Sequence, residues 1–165
     1  MSVAPKDVVQ LLTRELETFT RELQLFPDDE SVWETVPGIP NSAGNLALHV
    51  AGGLQYFIGG VLGGTGYRRN RELEFSRRSG NRTELVAEIQ KAAAVVREVL
   101  PHVTQSQLAD EFPEPIMGFK LRTDLFLTHL CVHTAFHLGQ AGYVRRAVTG
   151  DPTSSGPISL QPLSQ

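Results

Sequence analysis

The chain is predicted to be all-α, a single four-helix bundle domain spanning residues 1–165. Three observations predict it. Apolar residues recur at three- and four-residue steps in four long segments, Pro- and Gly-rich links separate those segments, and no stretch reads as a convincing set of strands. At 165 residues the chain is long enough to bury a core without disulfide or metal staples.

The first helix is expected over residues 5 to 26. Val8, Leu12, Leu16, Phe19, Leu23 and Phe26 form its stripe, and Lys6, Glu15, Arg21 and Glu22 are left for water. Pro27-Asp28-Asp29 ends it, because proline cannot continue the hydrogen-bond ladder. The stretch through Pro37-Gly38-Ile39-Pro40 has no periodicity and is a connection.

Asn41 or Ser42 caps the second helix, which runs to about Leu62 with Leu46, His49, Gly53, Tyr56 and Phe57 along one side. Gly52, Gly53, Gly59 and Gly60 each disfavour a helix interior by roughly 1 kcal/mol relative to alanine. Their presence implies a close helix approach or room for a ligand. Gly63-Gly64-Thr65-Gly66 terminates the helix.

The third helix starts at Asn81, with Glu84 as capping-box partner and a stripe of Leu85, Ile89, Ala92, Val96 and Val99 that runs out at Pro101. Residues 104–120, with Pro113, Pro115 and Gly118, form an irregular link holding one short extended piece. Thr123 caps the fourth helix, which continues to Ala147 or Val148 before Gly150-Asp151-Pro152. The tail, residues 153–165, is rich in Ser, Pro and Gln and is expected to be flexible unless it docks.

Composition narrows the function classes. Hydrophobic residues make up 41% and charged residues 20%, the profile of an ordinary globular protein. A net charge of −3 argues against nucleic acid as a partner. Arg68, Arg69, Arg71, Arg77 and Arg78 form a local basic run, but Glu72 and Glu74 interrupt it, so it reads as a solvated or ion-paired loop. No stretch approaches the ~18 apolar residues that span a membrane. The start, Met-Ser-Val-Ala-Pro-Lys-Asp, lacks a signal-peptide layout. A single cysteine, Cys131, fits a cytoplasmic location.

The chemistry concentrates in His129-Leu-Cys-Val-His133-Thr-Ala-Phe-His137-Leu-Gly-Gln140. Four residues turn a helix by about 400°, so successive histidines sit only about 40° apart around the axis. Two imidazoles one turn apart can converge on one ion, and imidazole suits zinc, nickel, copper and iron(II). A site of this kind needs a further ligand from a facing helix. His49 is the histidine outside the fourth helix that lies on a core-facing side. Three uncompensated imidazoles beside Phe126, Leu130 and Phe136 would leave buried polar nitrogens without partners, a cost that a shared metal relieves. Cys131 lies about 160–200° around the helix from its neighbouring histidines and reads as a small buried apolar residue. His102, at the end of the third helix, reads as a capping or surface residue.

These residues also carry a resemblance. His133-x-x-x-His137-x-Gly139-Gln140 resembles the final-helix motif of the DinB-like (YfiT-like) superfamily, and His129 before it is common there. Asn41–Gly52, containing His49, resembles the family's first-ligand segment. Arg69-Asn70-Arg71-Glu72-Leu73-Glu74-Phe75 resembles the Arg-Asn-Arg-x-x-Glu-Phe signature of one uncharacterised branch. The resemblance implies a bundle holding a divalent metal, nickel or zinc, on His49, His133 and His137. Leu138 departs from the arginine that many members carry before Gly-Gln, which removes a cation for anchoring an anionic substrate.

His129 is a fourth ligand or, preferably, a pocket-lining residue, because three in a row on one straight helix cannot all reach one ion. Gln140 belongs beside the ligands. Glu74 is the best carboxylate for a general base or for orienting a ligand histidine; the plainer alternative pairs it with Arg71 or a neighbouring arginine. Three neutral imidazoles on a dication leave open positions, as in catalytic sites. The resemblance implies a metal-dependent hydrolase or a transferase using a low-molecular-weight thiol, acting on a small-molecule substrate. The alternatives are a non-catalytic metal-binding or stress-associated bundle, and a bundle that has lost its metal. A homodimer is expected, from the Gly-rich second helix and the apolar positions left over on the first.

Overall fold

The computed structural model describes residues 4–156 and 159–163; the sequence readings at residues 1–3, 157–158 and 164–165 lie outside the described residues. The described chain forms helices α1 (Pro5–Gln24), α2 (Ala43–Leu54), α3 (Arg71–Ser76), α4 (Arg82–Val99), α5 (Gln105–Ala109) and α6 (Thr123–Thr149). The four long ones make the bundle, and each packs on two others: α1 on α4 and α6, and α2 on the same two.

α1 opens with Pro5, whose fixed φ suits a first helical turn, and buries the expected stripe of Val8, Leu12, Leu16, Phe19 and Leu23. Glu15 and Glu22, expected in water, are 3% and 2% exposed. Their neighbours explain this: Arg14 donates to Glu15, and Arg145 of α6 donates to Glu22. A carboxylate with a guanidinium partner can be buried where a lone one cannot. Phe19, Phe26, Phe112 and Phe126 are among the largest fully buried side chains, each contributing roughly 1.5–3 kcal/mol by leaving water.

Ser42 caps α2 in a reciprocal box with Asn45. The helix then continues to Leu62 as expected, but residues Gln55–Leu62 are wound as a wider π-helix. Gly59 permits this winding close to α4, since a Cβ there would lie 2.9 Å from Val95 Cγ1. The glycines of this helix are thus packed within the chain: Gly44 sits against the Trp33 ring and Gly52 against the Glu74 carboxylate.

Two short helices were not legible beforehand. α3 lies within the arginine-rich loop and is capped by Asn70, which accepts from the Leu73 amide at 3.0 Å. α5 is held by a Thr104–Gln107 capping box. Six and five residues are too few to show a helical period. Asn81 caps α4 by accepting from the Thr83 amide, whereas Glu84, expected to complete a box, instead pairs with Arg77 at 2.8 Å. The link before α6 contains two isolated antiparallel bridges, Glu111–Arg122 and Ile116–Phe119. Met117 and Gly118, both at positive φ, form the tip of the second. Thr123 is the first helical residue of α6 rather than its cap; Arg122 takes that position. Gly150, at φ 68°, ends α6.

Part of the tail does dock. Arg145 donates to the carbonyls of Asp151 and Thr153, and Arg21 to that of Ser155. Among the described residues, no helix is long and apolar enough to cross a membrane.

Candidate metal centre

α2 and α6 face each other across the bundle and bring His49, His133 and His137 together. His49 Nε2 lies 3.2 Å from His133 Nε2, and His137 Nε2 lies 3.1 Å from the same atom. Two nitrogens bound to one tetrahedral ion at about 2.0–2.1 Å sit roughly 3.3 Å apart. The observed spacing is close to that edge length.

The outer nitrogens decide what the inner ones can do. His49 Nδ1 lies 3.0 Å from Glu74 Oε2, and Arg69 donates to both Glu74 oxygens at 2.7 Å. Burial alone would raise the Glu74 pKa, but the hydrogen bonds from His49 and Arg69 more than offset this and hold it below the ordinary carboxylate range. Arg69 Nη2 also lies 3.1 Å from His49 Nδ1, but it already donates to Glu74, and an ionised carboxylate only accepts; the neutral ring that satisfies Glu74 carries its proton on Nδ1 and its lone pair on Nε2. His137 Nδ1 likewise lies 2.7 Å from Gln140 Oε1, which fixes the same tautomer. His133 Nε2 sits between two such lone pairs and can carry one proton, enough for only one of them. The three rings also cannot be charged together. Burial, then the neighbouring His137, His49, His129 and Arg69, lower the His133 pKa to about 3. Burial lowers that of His137 as well, although its Gln140 hydrogen bond opposes the shift. Neutral imidazoles with converging lone pairs suit a cation.

The Arg-Asn-Arg-x-x-Glu-Phe segment gains a physical account here. Asn70 caps α3, Arg69 and Glu74 hold His49, the Phe75 ring packs 4.8 Å from the His49 ring, and Arg71 lies 5.3 Å over Phe75. Asn45 of α2 pins the segment by donating to the carbonyls of Glu74 and Arg77 at 2.9 Å. Glu74 thus hydrogen-bonds His49 and pairs with an arginine. That arginine is Arg69, five residues earlier, rather than Arg71. Neither Arg69 nor Gly52 stood out as a site residue in the sequence. The signal was present in Arg69, a cation within a helical turn or so of the acid.

The remaining candidates fall outside the cluster. His129 is exposed, its ring 5.7 Å from that of His133 and stacked 6.0 Å from Phe126. Phe136, expected beside buried imidazoles, is 60% exposed, since it lies on the outward side of α6. Leu138 is buried in the core, where an arginine would have needed a partner. Cys131 is partly buried against the core, and burial pushes its thiol up to about 12, so it is an inert packing residue.

A cavity of about 580 Å³ adjoins the histidines. His49, His133 and His129 form one wall, with Phe57, Phe126 and Leu130 supplying apolar surface. Arg69 and Arg71 reach it from the α3 side. Glu114, which accepts from the Tyr56 hydroxyl at 2.9 Å, also lines it.

Comparison with known proteins agrees with this architecture. No curated protein matches the chain. A crystal structure described as a conserved protein of locus from Enterococcus faecalis is similar, with a TM-score of 0.72 at 19% identity. The match covers 92% of this chain and 99% of that one, and at such identity it speaks for the fold alone. The sequence profile of the DinB superfamily matches residues 11–141, a span reaching from α1 through both histidines of α6 that face His49, and the chain belongs to the DinB superfamily.

Proposed function

We propose that the chain holds one divalent metal ion, nickel or zinc, on the Nε2 atoms of His49, His133 and His137. The ion would serve a hydrolysis, or a transfer involving a low-molecular-weight thiol, on a small molecule in the adjoining cavity. The observation that carries this reading is the convergence of three Nε2 atoms, two of which have their outer nitrogens held by oxygens. Such outer partners fix ring orientation and raise ligand basicity in metal sites.

Bound there, a dication with only three protein donors would supply Lewis acidity at its open positions, acidifying a water or a thiol. The chain's own residues do the rest. Phe57, Phe126 and Leu130 exclude water from one side of the cavity, and Arg71 favours a substrate carrying negative charge, Arg69 being paired with Glu74. Glu114, with its Tyr56 partner, is a carboxylate lining the cavity and can receive a proton or hold a donor group. Glu74 is committed to His49 and Arg69, so its part is to position the ligand ring. The cavity against the cluster favours catalytic use over the alternative of a non-catalytic metal-binding bundle, which would gain nothing from it.

The test begins with elemental analysis of protein purified without a histidine tag. About one nickel or zinc per chain is expected, and none, with none taken up on titration, would overturn the reading. Turnover of electrophiles with added thiols, or of ester and amide substrates, should then stop on chelation. Loaded protein inactive in both screens would favour the non-catalytic alternative.

A further inference from the structure

The link before α6 carries a tight hairpin whose tip residue does not suit its shape. Ile116 and Phe119 exchange both backbone hydrogen bonds, at 2.8 and 2.9 Å, and leave Met117 and Gly118 as a two-residue loop. Their φ values of 50° and 86° are those of a type I′ turn. Such a turn calls for Asn-Gly or a similar pair, because both central residues are left-handed. Among the described residues Met117 is the one non-glycine at positive φ. Packing does not offset that strain, since Met117 is 89% exposed, more than any other large apolar residue described. Yet Met117 lines the cavity beside the histidines. A residue that lines a cavity while so exposed stands at its mouth.

The tip is held in place. Phe112 is buried and its amide donates to the Leu121 carbonyl at 2.8 Å, and Ile116 packs against the core. Between them Glu114 accepts from Tyr56, with Pro113 and Pro115 fixing φ on either side of it. We infer that Met117 is the residue through which the cavity selects its ligand, and that this ligand is a small molecule carrying an aromatic group. The rings of Tyr56, Phe57 and Phe126 line the same cavity and meet edge to face, with centroids 5.1 and 5.0 Å apart. An aromatic guest continues that packing. A thioether makes favourable contacts with aromatic rings, and its unbranched chain adapts to their outline. A ring in the cavity thus gives Met117 the apolar contact that the rest of the chain does not. Arg71 lines the cavity too and has no carboxylate partner among the described residues, so an anionic group on the same molecule is favoured. This inference rests on the reading of the cavity as a small-molecule site and does not need the ion.

Met1 and Met117 are the chain's two methionines, so carbon-13 labelling of methionine methyl groups in the untagged full chain gives at most two signals. Met117→Asn identifies the one from Met117. The probe is naphthalene-2-sulfonate, an aromatic body with one anionic group. Its titration should shift the Met117 signal to saturation, whereas inorganic sulfate should leave it in place. Met117→Asn also puts the residue that the turn calls for at the tip. It should raise the thermal midpoint by about 2–4 °C, and weaken the probe by about fivefold to tenfold. A probe that binds without moving the Met117 signal overturns the inference and leaves the reading of the cavity intact. So does a Met117→Asn protein that binds the probe as tightly as the parent. A Met117→Asn protein less stable than the parent overturns it as well, since Met117 would then be a packing residue. No binding at millimolar probe overturns it together with the small-molecule reading, while elemental analysis still decides the metal.

Discussion

Of the buried glutamates that hold an arginine in this bundle, Glu22 and Glu74 do opposite things with it. Glu22 and Arg145 are 2% and 0% exposed at the side chain. Arg145 spends its remaining donors on the carbonyls of Asp151 and Thr153, tying the end of α6 to the following segment. Glu74 and Arg69 are buried nearly as well, at 5% and 13%, but Glu74 passes one oxygen to His49, whose other nitrogen faces a second and a third histidine. Burial of an ion pair therefore says nothing about its role. What separates them is whether a valency leads out of the pair toward a cavity.

The sharpest break in this comparison is His133→Ala. It removes the atom that touches both other Nε2 atoms and leaves two donors, so metal binding should fall below calorimetric detection. Retained stoichiometric binding would mean that the cluster is not the site. Next in size, Arg145→Ala should destabilise the fold by about 3–5 kcal/mol in urea, because it strands Glu22 without a partner. The same variant should leave the metal affinity of the folded protein unchanged. Glu74→Gln should reverse that pattern, weakening the metal by about 10–100-fold with a smaller loss of stability. If Glu74→Gln and Arg145→Ala behave alike, the distinction between the two pairs fails.

Acid should act through the same site in the metal-free protein. The folded His133 titrates near 3, against an ordinary 6.5. Between those values the unfolded chain takes up a proton that the folded chain refuses, so stability should decline as pH falls from about 6.5 toward 3. Protonation of Glu74, held low when folded, adds to the decline below about 4.5. Denaturation midpoints of parent and His133→Ala proteins across that range should show a shallower slope in the variant. The smallest effect belongs to His129→Ala, whose ring lies 5.7 Å from that of His133 and outside the cluster. Its metal affinity should change by about tenfold or less. A larger loss would move the ligand set one turn along α6.

The four long helices were legible because each carries a full stripe of core residues; Val8 to Leu23 on α1 illustrates it. The meeting of His49 with His133 and His137 was legible too, from helical spacing and from resemblance. What escaped was short or non-local. α3 and α5 are shorter than two turns, so their capping residues were the only sign. The burial of Glu15 and Glu22 breaks the stripe's logic because it depends on partners, one of them 123 residues away. Arg69 escaped because an arginine in a basic run looks solvated until the chain folds it over a carboxylate. The exposed apolar stripe of α6 was masked in the sequence by the apolar residues of its core face.

Gly52 has a bearing on how related chains are recognised. A Cβ at that position would run into the Glu74 carboxylate, so a side chain at residue 52 would push the acid out of its present seat between His49 and Arg69. A search of other genomes keyed to the three histidines would accept chains in which this berth is filled. Those chains would keep every donor atom yet lose the oriented ring, and would be sorted wrongly with this one. Scoring glycine at 52 jointly with glutamate at 74 separates the two groups using nothing but sequence.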